Sequence, residues 1–77
     1  MHELGITRNV IAICLEQGGG ARVTRVRLEI GKQAGVLAES VRFCFDICAQ
    51  GTPVEGAMLE IIEPLGAELN IKEMEVL

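Results

Sequence analysis

The chain has 77 residues, 49% of them apolar and 23% charged, and a formal net charge of −4. That length allows one small domain with one modest core, and the composition belongs with compact folds rather than disordered segments. Acidity and an aromatic content of 3%, with no Trp or Tyr, argue against nucleic-acid binding, which calls for a basic field and stacking rings. Apolar runs far short of the ~20 residues of a membrane span, and an amino terminus without a basic-then-apolar leader, predict a cytoplasmic chain with no membrane role.

Leu4 to Gln17 places Ile6, Val10, Ile13, Cys14 and Gln17 at helical spacing, with Leu4, Ile11 and Leu15 widening the apolar arc. This predicts a helix packed over a sheet. Gly18, Gly19 and Gly20 end it, since glycine takes the left-handed conformation at a helix terminus without steric cost. The triplet follows a helix and lacks the GK[ST] of a phosphate-binding loop. From Val23 to Gly31, Val26, Leu28 and Ile30 alternate with Arg25, Arg27 and Glu29, the pattern of a half-buried strand with a charged outer face.

A loop containing Gly35 leads to a second helix over Glu39–Gln50, with Glu39 near its positive end and Gly51 just past its finish. After the loop GTPVEG, Met58 to Glu63 reads as a strand with Leu59 and Ile61 inward. Pro64, Leu65 and Gly66 form a turn, and Leu69 to Val76 reads as a third strand, so the last two strands are expected to form an antiparallel hairpin. Leu69 and Ile71 share one parity and Met74 and Val76 the other, so a β-bulge near Lys72 and Glu73 is needed to keep both pairs on the core side. The fold class is α+β: an α-β-α-β-β order, with a three-stranded mixed sheet and two helices packed on one face, in a single domain over 1–77.

Three cysteines, Cys14, Cys44 and Cys48, without a secretion signal do not suggest a disulfide framework. Cys44 and Cys48 stand four apart on the second helix, a spacing open to a soft metal. Val41, Cys44, Phe45 and Cys48 also form the stripe of a buried helix face, and core packing is the preferred reading, as it is for Cys14. With one histidine in the chain and no CxxC, a thiol enzyme is disfavoured, and the chain is read as a binding protein rather than an enzyme.

That histidine is His2. The terminal amine of Met1, the peptide nitrogen between Met1 and His2, and the imidazole Nδ1 can close two adjoining chelate rings around one ion. Such nitrogen-rich, square-planar surroundings suit Ni(II) and Cu(II), whereas zinc prefers a tetrahedron. The fourth position is open to the backbone nitrogen of Glu3, its carboxylate, water or a partner's side chain. Met1 is expected to stay in place, because removal of an initiator methionine needs a small second residue. The residues leave a second reading open, a structural protein–protein interaction domain in which His2 has no metal role.

The opening MHEL, the segment RVTRVRLEIG, the phrase AESVRFCFDICAQGTPVEGAMLEII and the closing ELNIKEMEVL together resemble the HypA/HybF family of hydrogenase nickel-incorporation proteins over nearly the whole chain. The resemblance implies a metallochaperone that receives or delivers Ni(II) during maturation of nickel-iron hydrogenase and, in some organisms, of urease. It implies a nickel site on Met1, His2 and Glu3. Its partners would be the maturation GTPase HypB, the hydrogenase large-subunit precursor and urease maturation proteins. The family also carries a structural zinc domain with two CxxC pairs between its last two strands. Here only Pro64 to Ala67 stands in that place and no CxxC occurs, so no structural zinc is expected and the chain reads as the nickel-binding domain with its zinc module removed.

Overall fold

The computed structural model describes residues 3–77. Its elements are α1 (Glu3–Gly18), β1 (Val23–Ile30), α2 (Ala38–Ala49), β2 (Met58–Ile62) and β3 (Leu69–Val76). They follow the expected order, and the strands form one three-stranded sheet in the order β2-β1-β3. β1 is parallel to β2 and antiparallel to β3, so the sheet is mixed, as the pattern predicts.

β1 holds the centre because it is the strand with apolar residues on one side throughout. Val23, Val26, Leu28 and Ile30 are buried against Val10, Ile11 and Cys14 of α1 and Val41, Phe45 and Ala49 of α2. The odd spacing between Val23 and Val26 is absorbed by a register shift at Thr24, which keeps both valines inward. On β3 the predicted bulge occurs where expected: Arg27 pairs with Glu73 and Leu28 with Ile71, leaving Lys72 as the extra residue. Ile71 and Met74 thereby both pack against the core.

Helix α1 buries Thr7, Val10, Ile11 and Cys14. This face is rotated from the predicted arc, and Ile13 is 48% exposed. The cause is that α1 lies chiefly beside α2 and only grazes β3, so the flank carrying Ile13 is left uncovered. Buried Thr7 is accommodated because its hydroxyl donates to the Glu3 carbonyl at 2.6 Å, the local back-bond open to Thr in a helix. Cys14 is fully buried, as predicted, and desolvation pushes its thiol pKa up. Cys44 and Cys48 are only half-buried; Val41, Phe45 and Ala49 take the core side of α2 instead.

The expected hairpin does not form. β2 and β3 are not neighbours but flank β1, so their connection spans two strand spacings, about 10 Å, across the carboxyl end of β1. That crossing is held by backbone bonds: Gly31 N–H donates to Glu68 C=O at 2.7 Å, Lys32 N–H to Pro64 C=O at 2.8 Å and Gln33 N–H to Gly66 C=O at 2.9 Å. A two-stranded pairing of β2 with β3 would have left one apolar flank of β1 without a neighbour. Seating β1 between them satisfies both of its edges.

The outer sheet face carries the arginine cluster. Arg25 ion-pairs with Glu60 of β2 and with Glu73 and Glu75 of β3, and Arg27 with Glu60 and Glu73, so one cation ties all three strands. Hydrogen bonds from Arg27 and Arg25 hold the Glu60 carboxyl below its usual range, and one from Arg25 does the same for Glu75. No helix among the described residues is long and apolar enough to cross a membrane.

Two expectations follow. A Cβ at Gly31 would lie 2.1 Å from the Gly66 carbonyl oxygen and 2.7 Å from the Glu68 nitrogen, both backbone. Gly31→Ala should therefore lower urea stability by about 1–3 kcal/mol or more. Gly18→Ala meets only Val23 and Val76 side chains, at 3.6 and 3.9 Å, and should be neutral or stabilising by up to about 1 kcal/mol. The second concerns pH: carboxylates with depressed folded pKa values give stability that is present above the unfolded glutamate pKa of about 4.3 and is lost as pH falls through the lower folded values. Urea midpoints measured over that acid range should fall less steeply for Arg25→Gln than for the parent chain.

Candidate functional site

Of the three residues predicted to hold the metal, Met1 and His2 lie outside the described residues, and Glu3 is the first residue of α1. The Glu3 carboxylate accepts a hydrogen bond from the backbone N–H of Leu37 at 3.2 Å. Leu37 is the N-cap of α2, with extended dihedrals (φ −88°, ψ 121°) and a side chain that cannot cap. A helix start leaves backbone donors that its own turn cannot satisfy, and here an acceptor 34 residues away in sequence supplies one. The bond fixes the amino end of α1 against the amino end of α2.

Around this bond lies a shallow depression lined by Glu3, Leu4, Glu39, Ser40, Phe43 and Cys44. Glu3 and Glu39 each stand in the first turn of their helix, where the partial positive charge of the helix end favours a carboxylate. Two helix starts and two acids therefore share one corner, which gives a cation approaching that corner an acidic surround. Among the described residues, no group of three or more His, Cys, Asp or Glu side chains comes together in a way that could hold a metal ion. The depression supplies charge and position, not a complete ligand set.

Sequence reasoning singled out Glu3 but missed Leu37, Glu39, Ser40 and Phe43 as its surroundings. No local spacing relates α1 to the loop before α2, and the donor at Leu37 is a backbone group that any residue but proline carries. A separate cleft of about 230 Å³ lies on the other flank of α1, lined among others by Ile6, Ile13, Leu28 and Leu69. It is mainly apolar and contains no titratable side chain.

Comparison with known proteins gives this geometry its context. The family model described as HypA, hydrogenase/urease nickel incorporation, metallochaperone, matches residues 1–67, and the chain belongs to that family. Among curated relatives, the hydrogenase maturation factor HypA of Rippkaea orientalis is 65% identical over 66 residues, 86% of this chain and 58% of that protein. That of Crocosphaera subtropica is 62% identical over the same shares, and that of Geotalea daltonii 56% identical over 79% of this chain and 56% of its own length. The chain thus spans a little over half the length of these relatives. The solution structure of the Ni metallochaperone HypA from Helicobacter pylori matches with a TM-score of 0.75 at 19% identity, over 100% of this chain and 94% of that one, which shows the shared fold.

The clasp between the helix starts can be tested by substitution. Glu3→Gln keeps an acceptor for the Leu37 N–H but loses the charge favoured at the helix start and should cost about 0.3–1 kcal/mol of urea stability, whereas Glu3→Ala loses the acceptor as well and should cost about 1 kcal/mol more.

Proposed function

We propose that this chain is a nickel-binding domain of the HypA type that carries Ni(II) at its amino terminus for the maturation of nickel-iron hydrogenase. The observation that carries this reading is the family match, which covers residues 1–67 and so includes the amino-terminal segment. Met1 supplies its amine, His2 its imidazole and peptide nitrogen, and Glu3 a backbone or carboxylate donor. Loss of the peptide proton brings the dication down to one positive charge, which a single carboxylate such as that of Glu3 would offset. The chain acts in the cytoplasm as a carrier rather than a catalyst. Its partners are the maturation GTPase HypB, the hydrogenase large-subunit precursor and, where urease is the client, urease maturation proteins.

In this reading the 63–68 connection replaces the family's zinc module, so the domain holds no structural zinc. The expected join was a hairpin turn, but the segment instead bridges strands on either side of β1. A short bridge suffices there because Gly31 to Gln33 bind its carbonyls.

Nickel release is coupled to protons. The amine and imidazole have ordinary pKa values of roughly 7.7–8.0 and about 6.5, so acid competes with the metal for both donors. Isothermal titration of the untagged chain should show nickel binding that weakens from pH 7.5 to pH 5, on the order of the two protons these pKa values imply. His2→Ala and a chain extended by three residues before Met1, which takes the amine out of chelate reach of the imidazole, should both lose the site while their circular dichroism stays unchanged. Undiminished affinity in the extended chain would overturn the proposal and favour a structural interaction domain.

A further inference from the structure

Cys44 and Cys48 were expected in the core; both are half-buried free thiols, Cys48 still packed against the core on one side. They line one shallow groove on the seam between α1 and α2, together with Leu4, Arg8, Phe43 and Ile47. Their spacing on a regular helix puts the two Cβ atoms about 5–6 Å apart. A disulfide needs about 3.5–4.5 Å between those atoms, so the helix would have to distort to join them. One atom seated between the two sulfurs requires no such distortion.

The surroundings select which atom. Nothing among the described residues adds a third His, Cys, Asp or Glu to make a metal-binding group, so ions that demand four donors, zinc or nickel, are poorly served. A soft monovalent ion that is content with two thiolates is well served. The bis-thiolate form of such an ion carries one net negative charge, and among the described residues Arg8 is the one charged side chain that lines the groove. Leu4, Phe43 and Ile47 supply an apolar wall without competing hard donors. Cys14 is no rival, being fully buried.

We propose that Cys44 and Cys48 form a second metal site, independent of the amino-terminal tip, that binds one Cu(I) as a bis-thiolate. Two S–H bonds break and two S–Cu bonds form. Both protons go to solvent, and the copper stays monovalent throughout. Leu4 and Arg8 belong to the first turns of α1, and Glu3, the one proposed nickel donor among the described residues, does not line this groove.

The test is an anaerobic titration of the 77-residue chain with Cu(I) against a chromophoric Cu(I) chelator, paired with native mass spectrometry. The expected result is one copper per monomeric chain, with a deconvoluted mass gain equal to copper less one proton, because the single charge of Cu(I) stands in for one of the two protons lost. Cys44→Ala and Cys48→Ala should each weaken binding by more than the roughly 100-fold that loss of an outer-shell partner can cost. His2→Ala should bind as tightly as the parent. The proposal is overturned if the parent chain fails to compete with the chelator, if copper bridges two chains, if either cysteine variant with a native circular dichroism spectrum keeps full affinity, or if His2→Ala abolishes binding. Because the mass gain is read on the unmodified chain, an unfolded variant would not shelter the idea from refutation.

Discussion

The fold rests on β1 having both of its edges paired. Its inward residues Val23, Val26, Leu28 and Ile30 form the floor on which both helices sit, and its outward arginines bind glutamates on both neighbours. Apolar burial at about 25 cal/mol per Å² supplies the drive toward this arrangement. The ion pairs on the solvated face, each worth little in isolation, act together on one guanidinium to favour this strand order. Everything that positions the candidate site follows: with the sheet centred on β1, α1 and α2 lie side by side on one face, and their amino ends meet at Glu3 and Leu37.

Most of this was legible in the residues. Strand and helix periods located every element to within a residue or two, and the parity slip in LNIKEMEV located the bulge near Lys72 and Glu73, where Lys72 is the extra residue. Strand neighbourhood was not legible. Pro64 to Gly66 is as compatible with a crossing as with a hairpin, and only the non-local demand of β1 for partners on both edges decides between them. The exposure of Ile13 was hidden for a related reason, since a helical pattern gives the apolar arc but not which part of it a neighbour will cover.

The candidate site divides in the same way. His2 beside a terminal amine is chemistry written in two residues, and it needs no fold to be read. The bond from Leu37 to Glu3, the acidic corner completed by Glu39 and the half-buried thiols of Cys44 and Cys48 all depend on how α1 lies against α2. For the cysteines, the core reading holds for Cys14 and in part for Cys48, which packs against the core while half-buried; it fails for Cys44, because Val41, Phe45 and Ala49 take the buried side of α2. A four-residue spacing cannot distinguish those placements.

The central claim is that nickel is gripped by nitrogen and oxygen donors at the chain's leading end. X-ray absorption at the nickel edge of the loaded, untagged chain tests it most directly. The account predicts a first shell of nitrogen and oxygen scatterers with the outer-shell signature of one imidazole. A nickel–sulfur distance in that shell, with the imidazole signature missing, would contradict it.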